Sequence, residues 1–252
     1  MSTLTYTRFE LIRAIRNRQS FAFTVFVPIL FYFLLAAPNK KDHNFGGDAT
    51  HHTGLFAPQY YMVGLLAFGG MIAVLGGGAR IAAERTVGWN RQLRLTPLSA
   101  RDYLRTKVMV SYLMAGMTIL LLYIAGISLG VRMPFGDWVE MTALVLVALV
   151  PFVALGIGFG HLLKTDAIGP VVGGGTSIFA FLGGTWFPIT GRGGFVDFVK
   201  SLPSYWLVQA GHVGIGAKHP WGIEGWLVIG AWSVATIGFA AWAYRRDTGR
   251  AS

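Results

Sequence analysis

The chain has 252 residues, 54% of them hydrophobic and 13% charged, and its mean hydropathy is +0.54. This composition is too apolar for an ordinary soluble domain, and the lack of cysteine excludes disulfides, thiolate metal sites and cysteine nucleophiles. The net charge of +10 does not indicate a nucleic-acid partner, because the basic residues flank apolar segments and most aromatic residues lie inside them.

The first element is a basic amphipathic helix predicted over residues 4–20. Phe9, Ile12 and Ile15 recur there at helical spacing among several arginines, which is typical of a helix lying on a membrane surface. The alternative is the charged front of a signal peptide whose apolar part is 21–37. No small-x-small cleavage site is clear, so we favour a retained first span.

Six apolar segments are long enough to cross a membrane. They are 21–37, 61–81, 108–130, 138–163, 167–186 and 223–244. The sequence therefore predicts an all-α integral membrane protein with six transmembrane helices in one domain over 1–252. The loop after the first span contains His43, His51 and His52. Adjacent histidines cannot share a helix face, so a solvated loop is favoured over a metal site.

A polar segment, 83–99, separates the second and third spans and contains Arg85, Arg91 and Arg94. Its centre is compatible with a short helix, ended by Pro97 because proline cannot donate to the helical hydrogen-bond ladder. A short basic helix between two spans suggests a part that contacts another protein. The alternative is a positively charged loop without a partner.

The distribution of basic residues predicts the orientation. With six spans both termini lie on one side, and fifteen of the 21 Lys and Arg residues are on that side. The positive-inside rule then places both termini and the 84–107 loop in the cytoplasm.

No enzyme motif is present in the sequence. HExxH, GxSxG and a Walker A sequence are all missing, so the chain does not bind ATP by that route. Glu140, His161 and Glu224 are the candidate ion-coupling groups, and all three lie near span ends, which disfavours ion-coupled transport. Without an evident energy source of its own, the chain is expected to take work from a partner.

The order of these elements resembles the ABC-2 type permeases of ATP-binding-cassette exporters, including the daunorubicin-resistance and nodulation-export kind. The resemblance rests on an amphipathic helix, two spans, Glu84-Arg85-x-x-Gly88 leading to Leu95-Thr96-Pro97-Leu98-Ser99, and four further spans. Gly183-Gly184-Thr185-Trp186-Phe187-Pro188 and Leu202-Pro203-Ser204-Tyr205-Trp206 resemble the family's fifth span and outer re-entrant helices. Trp89 and Pro203-Ser204 depart from the family pattern.

The resemblance implies a bacterial-type inner-membrane permease that pairs with a second permease, as a homodimer or heterodimer, and with two copies of an ABC ATPase. ATP and magnesium would be bound by that partner, and this chain would hold no cofactor or metal and have no catalytic residue. The segment 84–99 would be a cytoplasmic coupling helix, with leucines buried against the ATPase and arginines at the rim. The implied interface consists of Glu84, Arg85, Gly88, Trp89, Arg91, Leu93, Arg94, Leu95, Pro97 and Leu98.

The predicted function is outward transport of a hydrophobic or amphipathic compound, such as a drug or antibiotic. The glycine-rich second and fifth spans are the predicted path between protomers, with Phe68, Met71, Phe179 and Phe181 as apolar contacts; packing or lipid-facing roles for these residues stay open. The alternatives are a lipid or polysaccharide exporter subunit, and a membrane anchor or assembly factor that transports nothing.

Overall fold

A computed structural model describes residues 3–45, 54–88, 99–187, 189, 193–217 and 220–249, and within these ranges every regular element is a helix. The all-α prediction is confirmed, as are six helices long and apolar enough to cross a membrane. The helices are α1 Thr3–Arg16, α2 Arg18–Ala36, α3 Ala57–Thr86, α4 Ala100–Ser128, α5 Phe135–Ala148, α6 Val150–Leu162, α7 Thr165–Gly183, α8 Gly194–Lys200, α9 Pro203–Gly211 and α10 Gly222–Gly249.

The second span, α3, is the centre of the bundle. In its most apolar window 89% of the residues are buried, against 17% in α10. It packs against α2, α4, α6 and α7, while α6 packs in turn against α10. A helix that is apolar all round is expected to lie at the centre in this way.

Glycines bring the backbones of α3 and α6 into contact. A Cβ atom built on Gly160 would lie 2.7 Å from the Gly78 carbonyl oxygen, and one on Gly156 would lie 3.0 Å from the Leu75 Cα atom. A Cβ atom on Gly78 would overlap the Gly156 carbonyl. Small residues at membrane helix contacts allow this close approach.

The N-terminal segment is two helices rather than one continuous helix. Between α1 and α2 lies Asn17, whose side-chain oxygen accepts a hydrogen bond from the Ser20 backbone nitrogen at 3.2 Å. The first span therefore begins at Arg18, where the sequence pattern placed its start at residue 21. The asparagine cap explains the difference, because it satisfies a donor that a new helix leaves free.

The predicted fourth span, 138–163, is divided into α5 and α6. Pro151 lies in the first turn of α6, where the missing backbone N–H is tolerated. The backbone hydrogen bonds from Leu149 to Val145 and from Val153 to Leu149, both 3.0 Å, continue across the junction. The two helices together still form one candidate span, Phe135–Leu162.

Two short helices, α8 and α9, join α7 to α10 with a 3₁₀ turn at His212–Ile215. Tryptophan side chains connect this region: Trp206 Nε1 donates to the Lys200 carbonyl at 2.7 Å, and Trp221 Nε1 to the Trp206 carbonyl at 2.8 Å. α9 packs against α3, α5 and α7. Short helices were predicted here, whereas their re-entrant position in the membrane stays a prediction.

Replacing Gly78 by alanine should destabilise the bundle, because the new methyl group would meet the α6 backbone rather than a flexible side chain. We expect a loss of about 1–3 kcal/mol, the usual effect of overpacking. Gly76→Ala is the matched control, since no atom lies within 4 Å of its Cβ position. Thermal unfolding of the detergent-solubilised chain should separate the two variants, and equal melting temperatures would contradict the backbone contact.

Candidate functional site at the charged end of the bundle

One end of the bundle collects most of the internal polar contacts between helices. It comprises α1, the last turns of α3, α6 and α10, and the first turns of α4. We call it the charged end. The segment 89–98, which contains most of the predicted coupling helix, starts and finishes here.

A buried lysine lies between two buried carboxylates at this end. Lys107 Nζ on α4 is 2.5 Å from Glu10 Oε1 on α1 and 2.5 Å from Glu84 Oε1 on α3. The three side chains are each 3% exposed or less. Arg13 Nη1 reaches Glu84 Oε1 at 3.2 Å, and the Tyr103 hydroxyl donates to Glu84 Oε2 at 3.3 Å. We call these five residues the Lys107 cluster.

Lys107 offsets the negative charge of the two buried carboxylates. Burial raises the pKa of the Glu10 carboxyl, but the charge of Lys107, the hydrogen bonds with Lys107 and Glu84, and the charge of Arg13 together outweigh burial, so this pKa lies below its ordinary value. Without Lys107, two carboxylates would face each other in a site that excludes water. Removing one partner of a buried ion pair typically costs about 3–5 kcal/mol.

A second group of contacts surrounds the next residue along α3. Arg85 Nε donates to Asp247 Oδ1 on α10 at 2.9 Å. Its Nη1 donates to the carbonyl oxygens of Gly160 and Leu163, at 3.2 and 3.1 Å. Those carbonyls lie at the C-terminal end of α6, where a helix leaves acceptors unpaired and carries partial negative charge. His161 Nδ1 lies 3.0 Å from Asp247 Oδ2. We call Arg85, His161 and Asp247 the Arg85 cluster.

The two clusters share the last turn of α3. Consecutive helical residues point about 100° apart at 3.6 residues per turn. Glu84 thereby contacts α1 and α4, while Arg85 contacts α6 and α10. Side-chain contacts therefore join the last turn of α3 to four other helices.

The structure places three of the ten predicted interface residues. Glu84 is 1% exposed and Arg85 makes internal contacts, so both hold the bundle together, although Arg85 was expected at the rim. Gly88 follows α3 with φ +69°, a backbone conformation that favours glycine. The others lie outside the described residues: Trp89, Arg91, Leu93, Arg94, Leu95, Pro97 and Leu98. The interface stays a prediction.

The four predicted path residues occupy different environments. Phe68 is buried against Phe31 and Trp186, and Met71 is fully buried in the core. Phe179 is half-buried with its ring edge-on to Phe152, and Phe181 is exposed. The structure does not bring the four together on one surface of the chain, and their role in a path stays a prediction.

The remaining candidates are dispersed. Glu140 and Glu224 are exposed at the starts of α5 and α10, and only His161 joins an internal cluster. His43 stacks on Phe56, while His51 and His52 lie outside the described residues. Among the described residues no group of three His, Asp or Glu side chains is placed to hold a metal ion.

Sequence reasoning missed three residues of the charged end. Glu10 and Lys107 were not recognised as partners, and Asp247 was not singled out. A signal existed for Glu10: on α1 it shares a helix face with Tyr6 and Ala14, at spacings of four residues, and Phe9, Ile12 and Ile15 do not lie on that face. Contacts across 97 residues, as between Glu10 and Lys107, leave no such periodic signal.

Lys107→Met should destabilise the chain strongly, because it removes the cation that lies between the buried carboxylates of Glu10 and Glu84. We expect a loss of about 3–5 kcal/mol, measured by thermal or denaturant unfolding in detergent. Arg105→Met, at an exposed position two residues away, is the control. The triple variant Lys107→Met/Glu10→Gln/Glu84→Gln should regain most of the loss, and an unaltered stability of Lys107→Met would contradict the pairing.

Arg85→Gln should loosen the ends of α6 and α10, since a glutamine side chain cannot reach Asp247 and two carbonyls together. Hydrogen bonds to charged groups contribute about 1.5–3 kcal/mol, so local amide exchange should rise roughly tenfold or more. Hydrogen–deuterium exchange over residues 158–163 and 243–249 measures this. Arg245→Gln, exposed on α10, should leave exchange unchanged, and identical exchange in the two variants would refute the contact.

No family model matches the chain. The chain is 24% identical over 212 residues to a protein of Bacillus subtilis (strain 168) named "Putative transport permease YvfS". The alignment spans 82% of this chain and 80% of that protein. The likeness therefore concerns the overall architecture rather than one motif, and it agrees with the six apolar helices of a multi-pass membrane protein.

Proposed function

We propose that this chain is the membrane-spanning permease subunit of an ATP-binding-cassette exporter. It works with a second permease chain and two ATPase subunits, which bind the ATP and magnesium. The segment between α3 and α4 docks on an ATPase from the cytoplasmic side, and the transported compound is hydrophobic or amphipathic. The observation that carries the proposal is the double attachment of the last turn of α3 through Glu84 and Arg85.

The contacts of Glu84 and Arg85 suit a mechanism in which a partner displaces the helices at the charged end. A docked segment transmits force only if its flanking helices resist bending and are joined to the rest of the bundle. α3 is the most buried span, and its glycines contact the α6 backbone. Its final turn is joined to α1 and α4 by the Lys107 cluster and to α6 and α10 by the Arg85 cluster.

Two further facts support a transport role. The similar Bacillus subtilis protein carries a permease name and aligns over most of its length. The described helices offer no metal-binding cluster and no paired carboxylates inside a span that would serve ion coupling. An external energy source is therefore the simplest account.

The mechanism follows from the two clusters. Closure of the ATPase pair displaces the docked segment, and α3 and α4 move with it. α1 follows because Glu10 shares Lys107 with Glu84, and α6 and α10 follow through Arg85. A ligand or partner shifts such an equilibrium only by binding the two conformations differently. The ATPase must therefore contact the segment better in one arrangement of the charged end.

The runner-up function is a lipid or polysaccharide exporter of the same architecture, and a non-transporting membrane anchor is the alternative from another class. ATP-dependent, vanadate-sensitive flux of a fluorescent drug through reconstituted vesicles separates export from anchoring. Flux of a labelled lipid in place of the drug would favour the runner-up.

The docking role predicts that Pro97→Glu/Leu98→Glu loses the ATPase while the chain still inserts in the membrane, because charged side chains oppose an apolar contact. Mild-detergent purification of the tagged chain from native membranes, with quantification of co-purifying ATPase, measures this. Phe135→Glu/Gly136→Glu, on exposed residues at the opposite end, is the control. ATPase recovery at the wild-type level with the Pro97/Leu98 variant would refute the docking role.

A further inference from the structure

The two faces of α1 differ in chemistry. Its inner face is buried against α2 and α4 and carries Tyr6, Thr7, Glu10 and Ala14. Its outer face exposes three large apolar side chains, Phe9, Ile12 and Ile15, which are 58%, 37% and 41% exposed. An apolar set of this kind on a surface helix indicates a binding face rather than a solvated one.

The charges of α1 are segregated in the same way. Glu10 is its one carboxylate, and it points inward to Lys107. Arg8 and Arg16 are exposed, and Arg13 is about half exposed while reaching Glu84. The outer face therefore presents arginines interleaved with apolar side chains, and no acidic residue of α1 accompanies them.

We propose that the outer face of α1 binds anionic phospholipid headgroups. Apolar side chains of an interfacial helix enter the boundary between headgroups and acyl chains by about 5–10 Å, and arginine stems extend outward to the phosphates. Each basic residue near an anionic surface adds to the attraction, which raised salt weakens. A neutral lipid surface buries the apolar side chains of this face, whereas an anionic surface also pairs with the charges of its arginines.

The neighbouring surface of α4 has the same chemistry. Arg101 and Arg105 border a shallow groove of 450 Å³ whose other walls are Leu104, Val108 and Met109. Val108 and Met109 follow the two arginines along the helix, so a phosphate at the arginines would place an acyl chain toward these two residues. The Thr7 and Thr106 hydroxyls, 3.1 Å apart, hold α1 beside this part of α4. The two surfaces therefore lie next to each other.

Lipid binding to the outer face of α1 bears on coupling, because the opposite face of the same helix carries Glu10 of the Lys107 cluster. A lipid that holds the outer face of α1 also holds Glu10 in place. This inference does not require an ATPase, and it is tested on the permease chain alone, so its failure would leave the proposed function untouched.

The test uses the absence of cysteine from the chain. Ile12→Cys carrying a nitroxide label is placed in nanodiscs of phosphatidylcholine, or of phosphatidylcholine mixed with phosphatidylglycerol. Electron paramagnetic resonance then compares the label's collisions with oxygen and with a water-soluble nickel chelate. We expect the label about 5–10 Å below the boundary in the anionic discs and shallower in the neutral ones.

Arg8→Gln/Arg16→Gln in the Ile12→Cys background should abolish the difference between the two lipids, whereas the control Arg245→Gln/Arg246→Gln should retain it. If the arginine variant folds poorly, the labelled chain with both arginines can be measured at raised salt instead. Salt screens exposed charges, so it should also abolish the difference between the two lipids. Equal depth in both lipids at low salt would overturn headgroup recognition. A label open to water in every disc would overturn membrane contact by this face.

Discussion

A single ammonium group between two buried carboxylates holds the charged end together. Glu10 and Glu84 come from helices far apart in sequence, and Lys107 Nζ lies 2.5 Å from a carboxylate oxygen of each. Buried ion pairs often add little net stability compared with apolar replacements, but losing one partner is costly. The Lys107 cluster therefore acts mainly to specify where α1 sits relative to α3 and α4. Because Lys107 contacts both carboxylates, displacement of α1 would weaken the contacts of the whole cluster.

Further contacts of α3 fix its position relative to the other helices of the bundle. The contact between α3 and α6 is tight, since a Cβ atom on Gly78, Gly156 or Gly160 would meet the backbone of the other helix. Arg85 adds the ends of α6 and α10 to the same turn that carries Glu84. Five helices thus meet at one turn of α3, immediately before the segment proposed to dock on an ATPase. Opposite the Lys107 cluster, α1 turns arginines and apolar side chains outward, and this is the face proposed to bind anionic lipid.

The architecture was predictable from the sequence because it depends on long apolar runs. Six spans, the helical N-terminus and the short helices before α10 all follow from hydropathy and periodicity. The charged end was less predictable. Glu84 and Arg85 stood out through a motif, which did not indicate that they point into the bundle, and the Arg85–Asp247 contact spans 162 residues. The break between α1 and α2 at Asn17 depends on one side-chain cap, which the spacing of apolar residues does not indicate.

The most direct test of the central claim measures transport per ATP hydrolysed in vesicles containing the proposed exporter, that is, this chain with its permease and ATPase partners. The variant Lys107→Met/Glu10→Gln/Glu84→Gln removes the ionic connection between α1, α3 and α4 without leaving a buried charge unpaired in that trio. The account predicts that this variant keeps its ATPase and continues to hydrolyse ATP, while substrate flux per ATP falls well below that of the unsubstituted chain. An unchanged ratio of flux to hydrolysis would show that the Lys107 cluster serves packing alone and would contradict its role in coupling.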